Sequence, residues 1–212
     1  MKKFINAVIY GHDDANEILV ENGIIKSIGK NLESADEIID LGGKLVTAPY
    51  VDPHLHLDYV YTLSELGLTG AGSGTLFEAI ELWPKFKENL TIESVKKLAL
   101  KGIKDEVSQG VQYIRTHIDV TDKNFTALKA MLELKEELKK IVEIQIVAFP
   151  QEGMYTYKGG RDLVEEALKM GADVVGGIPH YEPARESGEK SVHDTVELAI
   201  KYDKLIDVHC DE

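Results

Sequence analysis

The sequence predicts an α/β protein: a small β unit followed by strand–helix units that build a parallel sheet. Three observations lead there. Residues 1–48 are short runs rich in Ile and Val, broken by glycine turns. From residue 49, strand-like and helix-like segments alternate at about 30 residues per unit, the rhythm of βαβ folds. The 212 residues are 43% hydrophobic and 29% charged, a globular composition with enough chain to enclose a core.

Each element has its own signal. "FINAVIY", "EILVENGIIKSIG" and "EIIDLGGKLV" read as strands of a mostly antiparallel unit over residues 1–48. Asn22-Gly23 between alternating apolar runs marks a two-residue hairpin. Residues 45–56, 111–120, 141–149, 173–179 and 205–210 read as five further strands. A long helical stretch spans 75–109, with Thr75 as N-cap and Glu78 as its capping-box partner. "TGAGSGTLF" lacks the Gly-Lys-Ser/Thr that would hold a nucleotide phosphate. Residues 123–140, 160–171 and 191–203 read as helices, the second closed by Gly171 as C-cap. Five parallel strands can complete a doubly wound open sheet, whereas a (β/α)₈ barrel needs eight.

Charge and cysteine content narrow the function. A net charge of −13 argues against a polyanionic partner such as nucleic acid. One cysteine, Cys210, allows no intrachain disulfide. No run approaches the ~18 apolar residues of a membrane span. The N-terminal apolar patch is broken by Asn6 and Gly11, too short for a signal-peptide core. A cytoplasmic location is expected.

The chemistry concentrates at strand ends. In "DPHLHLD", His54 and His56 are two apart, so a strand would turn both rings to one face, where they could share a divalent metal. By itself H-x-H is short, and two histidines on a polar strand face would look the same. His209 ends the last strand, on the side where parallel βα folds gather active-site groups. Three histidines at the ends of two parallel strands suit Zn²⁺ or Fe²⁺. Glu212, three residues on, could carry a proton from metal-bound water, or be one more solvated acid among 37 Asp and Glu. Gln151 follows the third strand directly. It has both a donor pair and an acceptor for the amide-like edge of a planar heterocycle, though a plain β-turn explains it too. His117 and Asp119 share a face of the second strand, as an outer pair near a metal or as a buried polar pair. His12, His180 and His193 have no such surroundings in the sequence.

Together these segments resemble the amidohydrolase superfamily, and within it the bacterial cytosine deaminases. "VENGIIKSIGK" and "IDLGGKLVTAPYVDPHLHLD" are similar to its N-terminal sandwich and first barrel strand. "SGTLFEAIELW", "RTHIDV", "QIVAFPQEG", "GADVVGGIPH" and "KYDKLIDVHCDE" match deaminase segments in order and spacing. Ala48-Pro49-Tyr50 replaces the usual Pro-Gly-Phe. The resemblance implies the N-terminal part of a β-sandwich over 1–48. It then implies the first five βα units of a TIM-like (β/α)₈ barrel over 49–212, truncated after strand five.

The resemblance also implies roles. His54, His56 and His209 would be metal ligands, Glu212 the catalytic proton shuttle, and Gln151 with the backbone at Leu76 the substrate contacts. The fourth strand, "DVVGGIPH", lacks the bridging lysine of two-metal relatives, so one divalent ion is implied, Fe²⁺ favoured and Zn²⁺ able to substitute. The implied reaction converts cytosine to uracil: water adds at the amidine carbon, Glu212 moves the proton and ammonia leaves. A histidine on the sixth strand and an aspartate on the eighth, both required by the family, lie beyond residue 212. The chain is therefore expected to be an inactive piece of a longer enzyme, homo-oligomeric or completed by its missing half. Two alternatives stand behind this: a related hydrolase acting on isoguanine, creatinine or a triazine, and a non-catalytic half-barrel assembly module.

Overall fold

The computed structural model describes residues 1–62 and 76–210, and the side chains of all of these except 76–81. Thr75 and Glu212 lie outside the described residues, as do the side chains of Leu76 and Glu78. The chain divides into two compact units, Met1–Pro49 and Tyr50–Glu212.

The first unit holds strands β1 (Lys2–Ile5), β2 (Val8–Ile9), β3 (Glu17–Glu21), β4 (Ile24–Gly29), β5 (Glu37–Asp40) and β6 (Leu45–Val46). Asn22 and Gly23 turn the β3–β4 hairpin with φ of 53° and 80°. Both central residues in the left-handed region is the primed turn that matches strand twist. The antiparallel expectation holds only for the β1–β3 and β3–β4 pairs, because β1–β5 and β2–β6 run parallel. After the hairpin the chain passes back over the sheet and joins β1 on its far edge, so β5 enters in the direction of β1. Ala7, Ile9 and Ile18 form the small core, with Phe4, Val20 and Ile28 against them.

The second unit is one parallel sheet of β7 (Tyr50–Leu55), β8 (Val111–Asp119), β9 (Glu143–Phe149), β10 (Val174–Gly177) and β11 (Leu205–Val208). Its order is β11-β10-β9-β8-β7, stepping one way without reversal. A doubly wound sheet reverses direction at its switch point. Five strands laid down in one sense, with right-handed crossovers, place all connecting helices on one face. That is half of a βα barrel rather than a complete open sheet.

The helices are α1 (Leu76–Lys87), α2 (Ile92–Ser108), α3 (Thr126–Leu138), α4 (Gly160–Met170) and α5 (Arg185–Tyr202). The single stretch expected over 75–109 is two helices. Thr91 caps α2, its hydroxyl accepting from Ser94 N at 3.0 Å while Ser94 Oγ accepts from Thr91 N at 3.0 Å. Serine in place of Glu or Gln at the third position hid this box. Gly171 ends α4 with φ of 123°, as expected. The last helix starts at Arg185, six residues before the expected 191. Its polar first turns conceal Gly188, where a Cβ would stand 2.7 Å from Pro179 O, so glycine lets the helix lie on the preceding turn.

The core lies between sheet and helices. Ile114 and Ile118 of β8, Ile144 and Ile146 of β9 and Val175 of β10 meet Leu128, Met131, Leu134, Val164, Ala167 and Leu198 from the helices. Truncating fully buried Met131 to Ala would cost about 2–5 kcal/mol. No described helix is long and apolar enough to cross a membrane.

Candidate active site

The C-terminal ends of the five strands share one side, and the histidines are there. β7 pairs irregularly with β8 between Asp52 and Leu55, bulging where Pro53 offers no N–H. The bulge contains Pro53 and His54, and His56 follows the strand's last residue, with the two histidine ring centroids 5.4 Å apart. His209 follows β11 directly, its N–H donating to Gly177 O at 2.9 Å. One nitrogen from each of His54, His56, His117 and His209 lies within 4.8 Å of the others. His56 Nε2 and His209 Nε2 are 3.2 Å apart although 153 residues separate them in sequence.

Three of these rings, His56, His117 and His209, are pushed toward the neutral form. Burial and then the neighbouring histidines push His56 down to about 3. Burial and the same neighbours push His209 down to about 4. His117, fully buried, is also lowered, chiefly by burial. The Phe149 ring packs 4.2 Å from that of His209 and 5.5 Å from that of His56, drying the cluster from the β9 side. The clustered imidazoles offer ring nitrogens as donors to a cation, and among the described residues Asp207 is the carboxylate paired with them. Asp207 Oδ1 lies 3.1 Å from His117 Nε2, and its Oδ2 accepts from Arg115 Nη1 at 2.8 Å. Burial works to raise the Asp207 carboxyl, but Arg115 and His117 hold it below its ordinary value. A carboxylate behind an imidazole is the usual support of a metal-ligating histidine. By donor chemistry the cluster fits one divalent transition ion.

His117 and Asp119, expected as a pair, part company. His117 joins the histidines. Asp119 enters a second network, where its Oδ2 accepts from Trp83 Nε1 at 2.6 Å and from Lys87 Nζ at 3.0 Å. Its Oδ1 accepts from Thr121 N at 2.8 Å, and its own N–H donates to Asp58 Oδ2 at 2.8 Å. Lys87 also pairs with Glu152 and donates to Thr121 O at 2.7 Å. Burial works against the ammonium, yet Asp119 and Glu152 hold Lys87 above its ordinary value. Asp58, buried beside Asp119, is pushed up to about 8 by loss of solvent.

Gln151 is buried on the turn after β9, two residues past Phe149. The Leu76 backbone opens α1. His193 is exposed on α5. The sequence reading missed Arg115, Asp207, Trp83 and Lys87. Asp207 was within reach of the rule that found His54 and His56, because it sits two residues before His209 on one strand. Trp83 and Lys87 carry no local sign of a partner on another element.

The amidohydrolase family model matches residues 37–212. The chain belongs to the amidohydrolase family. Its second unit has the fold of that family's barrel over five strands. It is 44% identical to a 5-methylcytosine deaminase from Klebsiella pneumoniae, solved with 5-fluorocytosine, at a TM-score of 0.89 over 99% of this chain and 51% of that one. It is 35% identical over 210 residues to the N-isopropylammelide isopropyl amidohydrolase of Pseudomonas sp. (strain ADP), covering 97% of this chain and 51% of that protein. The N-isopropylammelide isopropylaminohydrolase of Burkholderia multivorans is 29% identical, with a TM-score of 0.81 over 100% of this chain and 53% of that one. This amidohydrolase chain thus spans about half the length of the relatives it matches.

Proposed function

We propose that this chain supplies the metal site and one wall of the substrate site of a hydrolytic deaminase acting on an amino-pyrimidine of the cytosine type. The observation that carries the reading is the convergence of His54, His56 and His209, one nitrogen of each within 4.8 Å of the others. A divalent ion there, iron or zinc, supplies Lewis acidity for activating water. The three imidazoles would hold it, and His117 with Asp207 braces the cluster from within the sheet. Gln151 offers its amide to the N–C=O edge of the ring. Glu212 moves the proton to the ring nitrogen beside the reacting carbon, and ammonia leaves. Glu212→Gln is expected to keep the metal and cut turnover by about 10²–10⁴-fold.

The likeness to the N-isopropylammelide enzymes supports a second reading, in which the ring is a triazine and the leaving group an alkylamine. Both readings share one chemistry: an exocyclic amine displaced from a planar nitrogen heterocycle. The protein carrying this sequence, purified from its native source, should release ammonia from cytosine or 5-methylcytosine. Isopropylamine from N-isopropylammelide, with no ammonia from the pyrimidines, would transfer the assignment to the second reading. Inertness toward both would end the first. The intact mass of that protein would show whether a homo-oligomer of this chain or a longer polypeptide forms the site.

A further inference from the structure

The turn that presents Gln151 is held from both ends. Gly153 N donates to Pro150 O at 2.8 Å, closing a four-residue turn with Gln151 and Glu152 at its corners. Pro150 fixes the entry, and Gly153 leaves in the left-handed region at φ of 81°. Glu152, at one corner, pairs with Lys87. Gln151, at the other, is buried.

The exit is gripped from the next loop. Glu182 follows the short 3₁₀ turn Pro179–Tyr181 after β10. Its Oε1 accepts from Met154 N at 2.6 Å, and its Oε2 accepts from Tyr155 N at 3.1 Å and Thr156 N at 3.0 Å. Three successive amides aimed at one carboxylate make a small anion-binding nest. Thr156 Oγ1 also donates to Tyr181 O at 3.2 Å. A Cβ at Gly153 would stand 2.9 Å from Glu182 Oε2, so the grip closes tightly on the turn itself. Behind it the segment is braced again, with Tyr155 OH bonded to Asp194 of α5. Gly160 packs where a Cβ would meet Gly153 O at 2.6 Å.

Ten residues of irregular backbone, 150–159, that only needed to link β9 to α4 would not require a carboxylate from another loop. The turn this grip holds carries Gln151, two positions past Phe149, whose ring packs on His56 and His209. We propose that Glu182 is a positioning residue for substrate: by fixing residues 154–156 it sets the turn that presents the Gln151 amide to the heterocycle. The inference rests on the reading of Gln151 given above. It also predicts what Glu182 does not do: it touches neither metal nor substrate.

A double-mutant cycle tests it. Glu182→Gln replaces one acceptor oxygen by an NH₂ that opposes an amide N–H, and removes the charge. In the metal-loaded protein it should raise the KM for cytosine about 3- to 10-fold, the range of one misplaced hydrogen bond, with kcat changed less than KM. In the Gln151→Ala background the same substitution should change KM less than 2-fold, an expectation from full coupling. Hydrogen exchange at the amides of residues 154–156 should quicken in both backgrounds, with or without metal. An equal KM effect in both backgrounds would overturn the inference, and so would unchanged exchange at 154–156. If Gln151→Ala alone left KM unaltered, the reading of Gln151 would fall first, and the inference with it.

Discussion

Two polar clusters sit at the same end of the same sheet, and they are built on opposite principles. The Trp83–Lys87–Asp119–Glu152 group is balanced: an ammonium between two carboxylates, with hydroxyl, indole and backbone groups on the remaining valences. The histidine cluster is built differently. Four rings of one kind face one another, and among the described residues one carboxylate, Asp207, is paired with them, behind His117. Burying polar groups is tolerated when they satisfy each other and is costly when they do not. The balanced cluster therefore reads as support, and the histidine cluster as a site completed by a cation from outside.

Breaking each cluster should give different signatures. The largest effect on folding belongs to Lys87→Met, which strands Asp119 and Glu152 without their cation. Loss of one partner of a buried pair costs about 3–5 kcal/mol, to be read from urea unfolding of the chelated protein. His56→Ala should cost less in that measurement, since it removes a half-buried neutral ring and strands no buried charge. It should instead lower affinity for Zn²⁺ or Fe²⁺ by about 100-fold or more, beyond the range seen when only a supporting residue is lost. If His56→Ala unfolded the metal-free protein as severely as Lys87→Met, the distinction between the clusters would collapse.

Acid should separate them next. His56 and His209 have folded values near 3 and 4 against an ordinary 6.5, so the unfolded chain binds the extra protons. Their contribution is complete above about pH 6.5 and is lost as pH falls toward the folded values. Metal-free protein should lose about 1–3 kcal/mol between about pH 6.5 and 5, and a His56→Ala/His209→Ala double variant should lose distinctly less. Parallel pH profiles for the two proteins would show that the rings are not held neutral. The smallest effect is expected at Asp207→Asn. It leaves Arg115 and His117 without a charged partner and should weaken metal affinity about 10-fold, the lower end for a residue behind a ligand. Titration of both proteins with Zn²⁺ by calorimetry would read it.

Legibility in the sequence followed the range of each interaction. His54 and His56 could be paired by strand period alone, and His209 was suggested by its place at a strand end. His117 was read as an outer group because nothing local says that β8 lies next to β7 in a sheet that curves. Asp119 was paired with His117 on the same rule and instead turned toward Trp83 and Lys87, which arrive on a helix. Glu182 had no local sign at all, since its partners are three amides on a different loop.

By itself the sequence determined the βα rhythm, the Asn22-Gly23 hairpin, the Gly171 helix end and the strand-end histidines. Each depends on contacts within a few residues, where hydrophobic period and backbone preference decide. Only the tertiary structure decided the one-way strand order, the two-helix division of 76–108 and the sorting of polar groups into a balanced cluster and a histidine cluster. Those depend on which strand ends become neighbours. His56 and His209 meet across 153 residues because parallel strands bring all their C-terminal ends to one side, a convergence no local pattern encodes.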